Sequence, residues 1–292
     1  ASTSAPALFR PSARSSSTPG RAGIIQLHCH FIKCIAQLGK ILKFKQRVIA
    51  SAIMFYKRVF TRTSFELLDP RLVVPTVAYL AGKVEECGAR AGDVVNSLAR
   101  LRLRFHILPN VQPEHLLECE FYVLQLLDFD LIVHHPYTCL VRYVGDLQRE
   151  DDTIADACMQ MAWNMVNDSF FTDIPLLYPP FMVAVAALVM SCVAQDRAVD
   201  TWLEGLNVND EKLRAVSRAL LAFFESPPAT DKASVGPLIA TLVSIVPALG
   251  EPSSAFAVIS GSGGVSRLRS SSSVGVGIAR TGSDGARGGD PP

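Results

Sequence analysis

From Ile24 to Glu225 apolar residues return every three or four positions, and Gly, Pro and short polar runs separate the periodic stretches. That period puts the apolar positions on one side of a helix. The every-second-residue alternation of a half-buried strand is scarce. The spacing predicts helices over 24–38, 46–62, 70–86, 91–104 and 113–128. A second set follows over 136–148, 153–169, 179–195, 200–205 and 209–225.

Two of these stretches resemble each other. "LLDPRLVVPTVAYLAGKVEE" begins at Leu67 and "LLYPPFMVAVAALVMSCVAQ" at Leu176, an offset of 109. Each opens Leu-Leu-x-Pro, with Pro where the first helical turn has no use for an N–H. Each continues as a long apolar helix with small residues, the pattern of a helix wrapped on most sides. The predicted fold is therefore all-α: two tandem five-helix bundles over 24–131 and 135–226. An extension (1–23) precedes them, and a linker, a short helix and a Ser/Gly-rich disordered tail (227–292) follow. In this register Lys83 falls opposite Cys192, Glu85 opposite Ala194 and Glu86 opposite Gln195. The second copy carries no charge there, which marks the first copy's charges as contact residues.

Composition narrows the classes. The chain has 292 residues, 49% hydrophobic and 19% charged, enough to build a core. A net charge of +1 gives no general attraction to nucleic acid or an anionic membrane. Residues 1–23 are rich in Ser, Ala and Arg and lack acids, a composition shared by transit peptides and disordered extensions. Residues 233–250 are uncharged, yet short for a membrane span and interrupted by Pro237 and Pro247, so a docked helix is expected. The seven cysteines form no CxxC and lie mostly in apolar helical pattern, as reduced thiols of the cytosol or nucleus do.

Candidate chemistry is sparse. His28, Cys29, His30 and Cys34 are ligand types, but no second spaced pair lies nearby, so no metal is expected. Arg100, Arg102 and Arg104 lack interleaved aromatics and read as a solvated face. Glu118 and Glu120 point in different directions on a helix and do not form an acid/base pair. "GVGIARTG" lies in the low-complexity tail and follows no strand, so it is not a phosphate loop. No cofactor and no catalytic residue is expected.

"YLAGKVEE" (79–86), together with "HLLECEFYVLQLLDFDLIVHHPY" (115–137), resembles the cyclin box. "QRVIASAIMFYKRVF" and "AWNMVNDSFFTDIPLLYPPFM" extend the resemblance through both repeats, nearest to the cyclin C branch of the family, which belongs to the Mediator kinase module. The resemblance implies a nuclear, non-catalytic subunit that binds and activates a cyclin-dependent kinase in RNA polymerase II transcription. Lys83, Glu85, Glu86 and Glu120 would form the charged part of the kinase face, and Val84, Cys87, Phe129 and Leu131 its apolar part. A groove for another Mediator kinase-module subunit would include Trp163, Asn167, Asp168 and Phe224, the last replacing the family's usual Tyr. The exposed substrate-recruiting patch of cell-cycle cyclins corresponds to "LHCHF" (27–31), a departure that favours a transcriptional cyclin. The alternatives are another transcriptional cyclin (cyclin H or cyclin K-like) and a double bundle like transcription factor IIB. The latter would need a basic second repeat, whereas 135–226 holds more than twice as many Asp and Glu as Lys and Arg.

Overall fold

The computed structural model describes residues 19–104, 108, 110–150 and 152–245, and every regular element among them is a helix. The first bundle comprises α1 (Arg21–Ile41), α2 (Gln46–Arg62), α3 (Pro70–Val84), α4 (Ala91–Arg104) and α5 (Pro113–Leu126). The second comprises α6 (Pro136–Glu150), α7 (Asp152–Ser169), α8 (Ile174–Leu177), α9 (Pro180–Val193), α10 (Asp200–Gly205) and α11 (Asp210–Glu225). The last helix is α12 (Lys232–Ile245). The ten periodic stretches are all helical. The one-turn α8 escaped the periodicity because four residues cannot show it. Residues 1–18 and 246–292, including most of the predicted tails, lie outside the described residues.

The two apolar helices occupy equivalent central places. α3 touches α1, α2, α4 and α5, and α9 touches α6, α7, α8 and α11. Asp69 starts α3 by accepting from the Arg71 N–H (2.8 Å) while gripping the Arg71 guanidinium, and Pro70 supplies the first helical residue. α1 and α2 meet closely at Gly39, where a Cβ would lie 2.5 Å from Ile49 Cγ1, so no larger residue fits without displacing Ile49.

The internal repeat is real, but its register is 110, not 109. Pro70 opens α3, whereas Pro180 opens α9 and Pro179 stands outside as its N-cap. Both helices close alike. The Cys87 N–H reaches the Gly82 carbonyl and the Arg197 N–H the Cys192 carbonyl, each at 2.9 Å. The residue before each donor is left-handed: Glu86 (φ 54°) and Asp196 (φ 53°). These are Schellman closures. Lys83 thus stands opposite Val193, Glu85 opposite Gln195 and Glu86 opposite Asp196. The expectation that the second copy lacks charge holds for Lys83 and Glu85 and fails for Glu86. A carboxylate at that turn is common to both copies.

Buried residues of both bundles merge into one core. Phe31, Phe55 and Tyr56 of the first join Tyr137, Val166 and Phe170 of the second, and a smaller cluster lies between α9 and α11 around Val183, Val216 and Leu220. Lys57 on α2 crosses the boundary. Its ammonium is buried and donates to the Thr172 carbonyl beyond α7 at 2.6 Å, with Asp173 at 3.6 Å.

α12 follows the second bundle yet packs on α1 of the first, burying Val235, Ile239 and Leu242. Leu238 fits over Gly23, where a Cβ would lie 2.9 Å away, and Lys33 donates to Thr230 at the start of the return. α1 itself begins at Arg21, three residues before the helix read from sequence. With α12 on one side and α2 and α3 on others, all five residues Leu27–Phe31 are buried. Among the described residues no helix is long and apolar enough to cross a membrane.

Candidate functional site

Lys83 sits in the last turn of α3, 43% exposed, paired with the Glu120 carboxylate of α5, which is 8% exposed. Its Nζ also lies 4.6 Å from the Tyr79 ring centroid, one turn earlier on the same helix face. A carboxylate this buried needs a cation, and Lys83 supplies it from the solvent side. An ammonium has three N–H donors. Glu120 fixes where the group stands, and its exposed side remains open toward an approaching molecule.

Glu85 does not face outward beside Lys83. It is the C-cap residue, and its side chain is 12% exposed. Oε2 takes the Arg47 guanidinium at 2.6 Å, and Oε1 accepts from the Ser51 hydroxyl at 2.6 Å. Ser51 Oγ also lies 2.8 Å from His135 Nε2, in the segment between the bundles. Because the Ser51 proton goes to Glu85, His135 must donate its Nε2–H to Ser51. Burial, the largest influence, lowers the His135 pKa and keeps the ring neutral, although Glu85 pulls the other way. This Ser–His–Glu trio is no nucleophile–base–acid relay. Serine and carboxylate face the same ring nitrogen, and Ser51 is buried. Glu86 alone of the two carboxylates is exposed.

The apolar candidates divide similarly. Val84, Cys87 and Leu131 are half-buried and packed against the core. Phe129 is 70% exposed. Asp128 (φ 51°) and Phe129 (φ 58°) are both left-handed, and the closing turn of α5 holds the ring outward. Two exposed residues escaped the sequence reading, Phe121 (73%) and Ile132 (70%). Phe121 had a signal, being apolar yet off the buried face of α5 formed by Leu116, Cys119 and Val123. Arg58 was also missed. Its guanidinium donates to the Asp130 and Ile132 carbonyls, both at 3.2 Å, while Arg62 pairs with Asp128. Only contacts across the fold reveal such a role.

The second predicted group is split. Trp163 packs against Tyr137 (ring centroids 4.6 Å apart), and Asn167 Oδ1 accepts from the Tyr137 hydroxyl (2.8 Å) and from Gln46 Nε2 (3.0 Å). Asn167 thus serves the seam between bundles through Gln46, whereas Trp163 packs within the second bundle. Asp168 is half-buried, and desolvation raises its pKa. Phe224 is 37% exposed and edges against Phe223, which stacks on Phe171 beyond α7. The ligand-like residues of α1 are core residues. His28 Nδ1 lies 3.2 Å from the Tyr56 hydroxyl, and Cys34 Sγ lies 3.7 Å from His30 Nε2.

Residues 26–132 match the family described as "Cyclin, N-terminal domain", and 135–245 match "Cyclin C-terminal domain". Rat (Rattus norvegicus) Cyclin-C is 40% identical over 206 residues, covering 68% of this chain and 72% of the relative. Two solved structures share the fold at about one-fifth identity. One is a chain of the CAK complex of Chaetomium thermophilum (TM-score 0.64, 20% identity, 77% of this chain and 73% of that one). The other is a chain of the yeast RNA Pol II CTD kinase CTDK-1 complex (TM-score 0.58, 19% identity, 75% and 74%). Two family matches in chain order, laid over two bundles with equivalent central helices, place this chain in the cyclin family.

Proposed function

We propose that this chain is a regulatory cyclin without catalysis of its own. It acts in the nucleus, where it binds a cyclin-dependent kinase of the Mediator kinase module, holds it active and so regulates RNA polymerase II transcription. The observation that carries this is the Lys83–Glu120 pair, a cation fixed at the surface by a buried carboxylate and an aromatic ring. The equivalent place in the second bundle holds Val193, so the fold itself does not require a lysine there. Lys83 donates to backbone carbonyls of the kinase. Glu86 offers charge beside it, and Phe129 adds apolar area, with Val84, Cys87 and Leu131 beneath. Activation consists of pressing the kinase helix that carries a catalytic Glu toward its Lys partner. Another Mediator kinase-module subunit binds the second bundle near Asp168 and Phe224, with Trp163 and Asn167 shaping the wall behind.

The test is co-purification with a kinase from native cells, followed by affinity and activation measurements on Lys83→Ala and Glu120→Ala. Loss of one member of a desolvated charge pair is expected to cost about 2–5 kcal/mol of binding. Wild-type affinity and activation in both variants would overturn the reading.

A further inference from the structure

We propose that Glu85 is a positioning residue: with Ser51 and His135 it forms a buried bracket that fixes the inter-bundle segment 128–135, and with it Phe129 and Leu131, relative to Lys83. This rests on the reading of the Lys83 face as the kinase-binding surface.

That face has two parts with different supports. Lys83 and Glu120 belong to α3 and α5, whereas Phe129 and Leu131 ride on the irregular segment between α5 and α6. The segment runs antiparallel to α2 and is tied to it at three levels. Arg62 takes Asp128, Arg58 takes the Asp130 and Ile132 carbonyls, and Ser51 takes His135. Residues 51, 58 and 62 lie one or two turns apart on one stripe of α2. The first two ties use partly exposed guanidiniums, 47% and 29% exposed, and such exposed links contribute little. The third is buried: His135 and Glu85 side chains are 5% and 12% exposed. Buried hydrogen bonds to a charged group are the costly ones to break.

Both carboxylate oxygens of Glu85 are already occupied, one by Arg47 and one by Ser51. The bonds run from the His135 N–H to Ser51 Oγ, and from the Ser51 O–H to the carboxylate, whose charge Arg47 balances. The same residue that caps α3 after Lys83 thereby holds the segment carrying Phe129.

The experiment uses the full chain, first alone and then with its co-purified kinase. Amide exchange of 128–135 in the free chain is expected to accelerate about ten-fold in Glu85→Ala and in His135→Ala. Kinase affinity is expected to fall about ten-fold in each single variant and no further in the double variant, because both break one bracket. Ser51→Ala, which removes only the bridging hydroxyl, is expected to reproduce both effects in a chain of unchanged helix content. Unchanged exchange in Glu85→Ala and Ser51→Ala would overturn the proposal, as would affinity losses that multiply in the double variant. Faster exchange combined with wild-type kinase affinity in Lys83→Ala would leave the bracket standing and refute the kinase-face reading instead.

Discussion

The Lys57 ammonium, buried on α2, donates to the Thr172 carbonyl in the turn between α7 and α8 at 2.6 Å, so a helix of one bundle satisfies a turn carbonyl of the other. Desolvation is the largest influence on this lysine and lowers its pKa, while Asp173 pulls the other way. Replacing Lys57 by Met fills the space but leaves the Thr172 carbonyl and Asp173 without their cation. The expected loss is on the order of 2–4 kcal/mol in denaturant unfolding. A change within experimental error would show that the seam does not depend on this contact.

Glu86 occupies a left-handed position that favours glycine. Glu86→Gly is expected to raise stability by about 0.5–1 kcal/mol by removing that strain. The same variant should weaken kinase binding, because it deletes the exposed carboxylate next to Lys83. Asp196→Gly at the equivalent turn should stabilise similarly and leave kinase binding alone. Thermal unfolding and titration of both variants check the contrast.

Stability should fall on acidification below pH 6.5. Burial lowers the His28 pKa from 6.5 to about 3, with Lys57 adding in the same direction. The folded state therefore holds His28 neutral where the unfolded chain takes up a proton. The stabilisation is complete above pH 6.5 and is lost, by about 1.4 kcal/mol per pH unit, down to a pH of about 3. His30 and His135, also lowered chiefly by burial, act with the same sign. Urea unfolding at pH 7 and pH 5 should show the loss, and His28→Gln should make the slope shallower.

Removing α12 should destabilise the first bundle, not the second. Ile239→Ala in the full chain is expected to cost about 2–4 kcal/mol, and truncation after Asp231 should cost more. Hydrogen exchange should localise the loosening to α1. Faster exchange in α9 and α11 instead would contradict this assignment.

Much of the fold was legible because it is written in periodicity. Central helices such as α3 and α9 announce themselves by apolar residues on nearly every face and by small residues at close approaches. The register slip arose from Tyr178-Pro179-Pro180. Two prolines stand where the first copy has one, and only the second lies inside the helix. Lys83 and Glu120 were readable as a pair because the cyclin resemblance named them. The contacts of Glu85 were not legible, because Arg47, Ser51 and His135 are remote from it in the chain and silent as a motif. Trp163, which the sequence marks as a candidate anchor for a partner, packs on Tyr137 within the second bundle.

The return of α12 to α1 has a consequence for biosynthesis. Chains emerge from the ribosome N-terminus first, and domains fold as units as they appear. The face of α1 that receives Val235, Ile239 and Leu242 is made before the second bundle, and its cover after it. Throughout the synthesis of the second bundle that strip of α1 stays open to water and to chaperones. The earlier-born bundle is thus the later one to be finished, and a chain that stops before Lys232 would hold both bundles and an uncovered first helix.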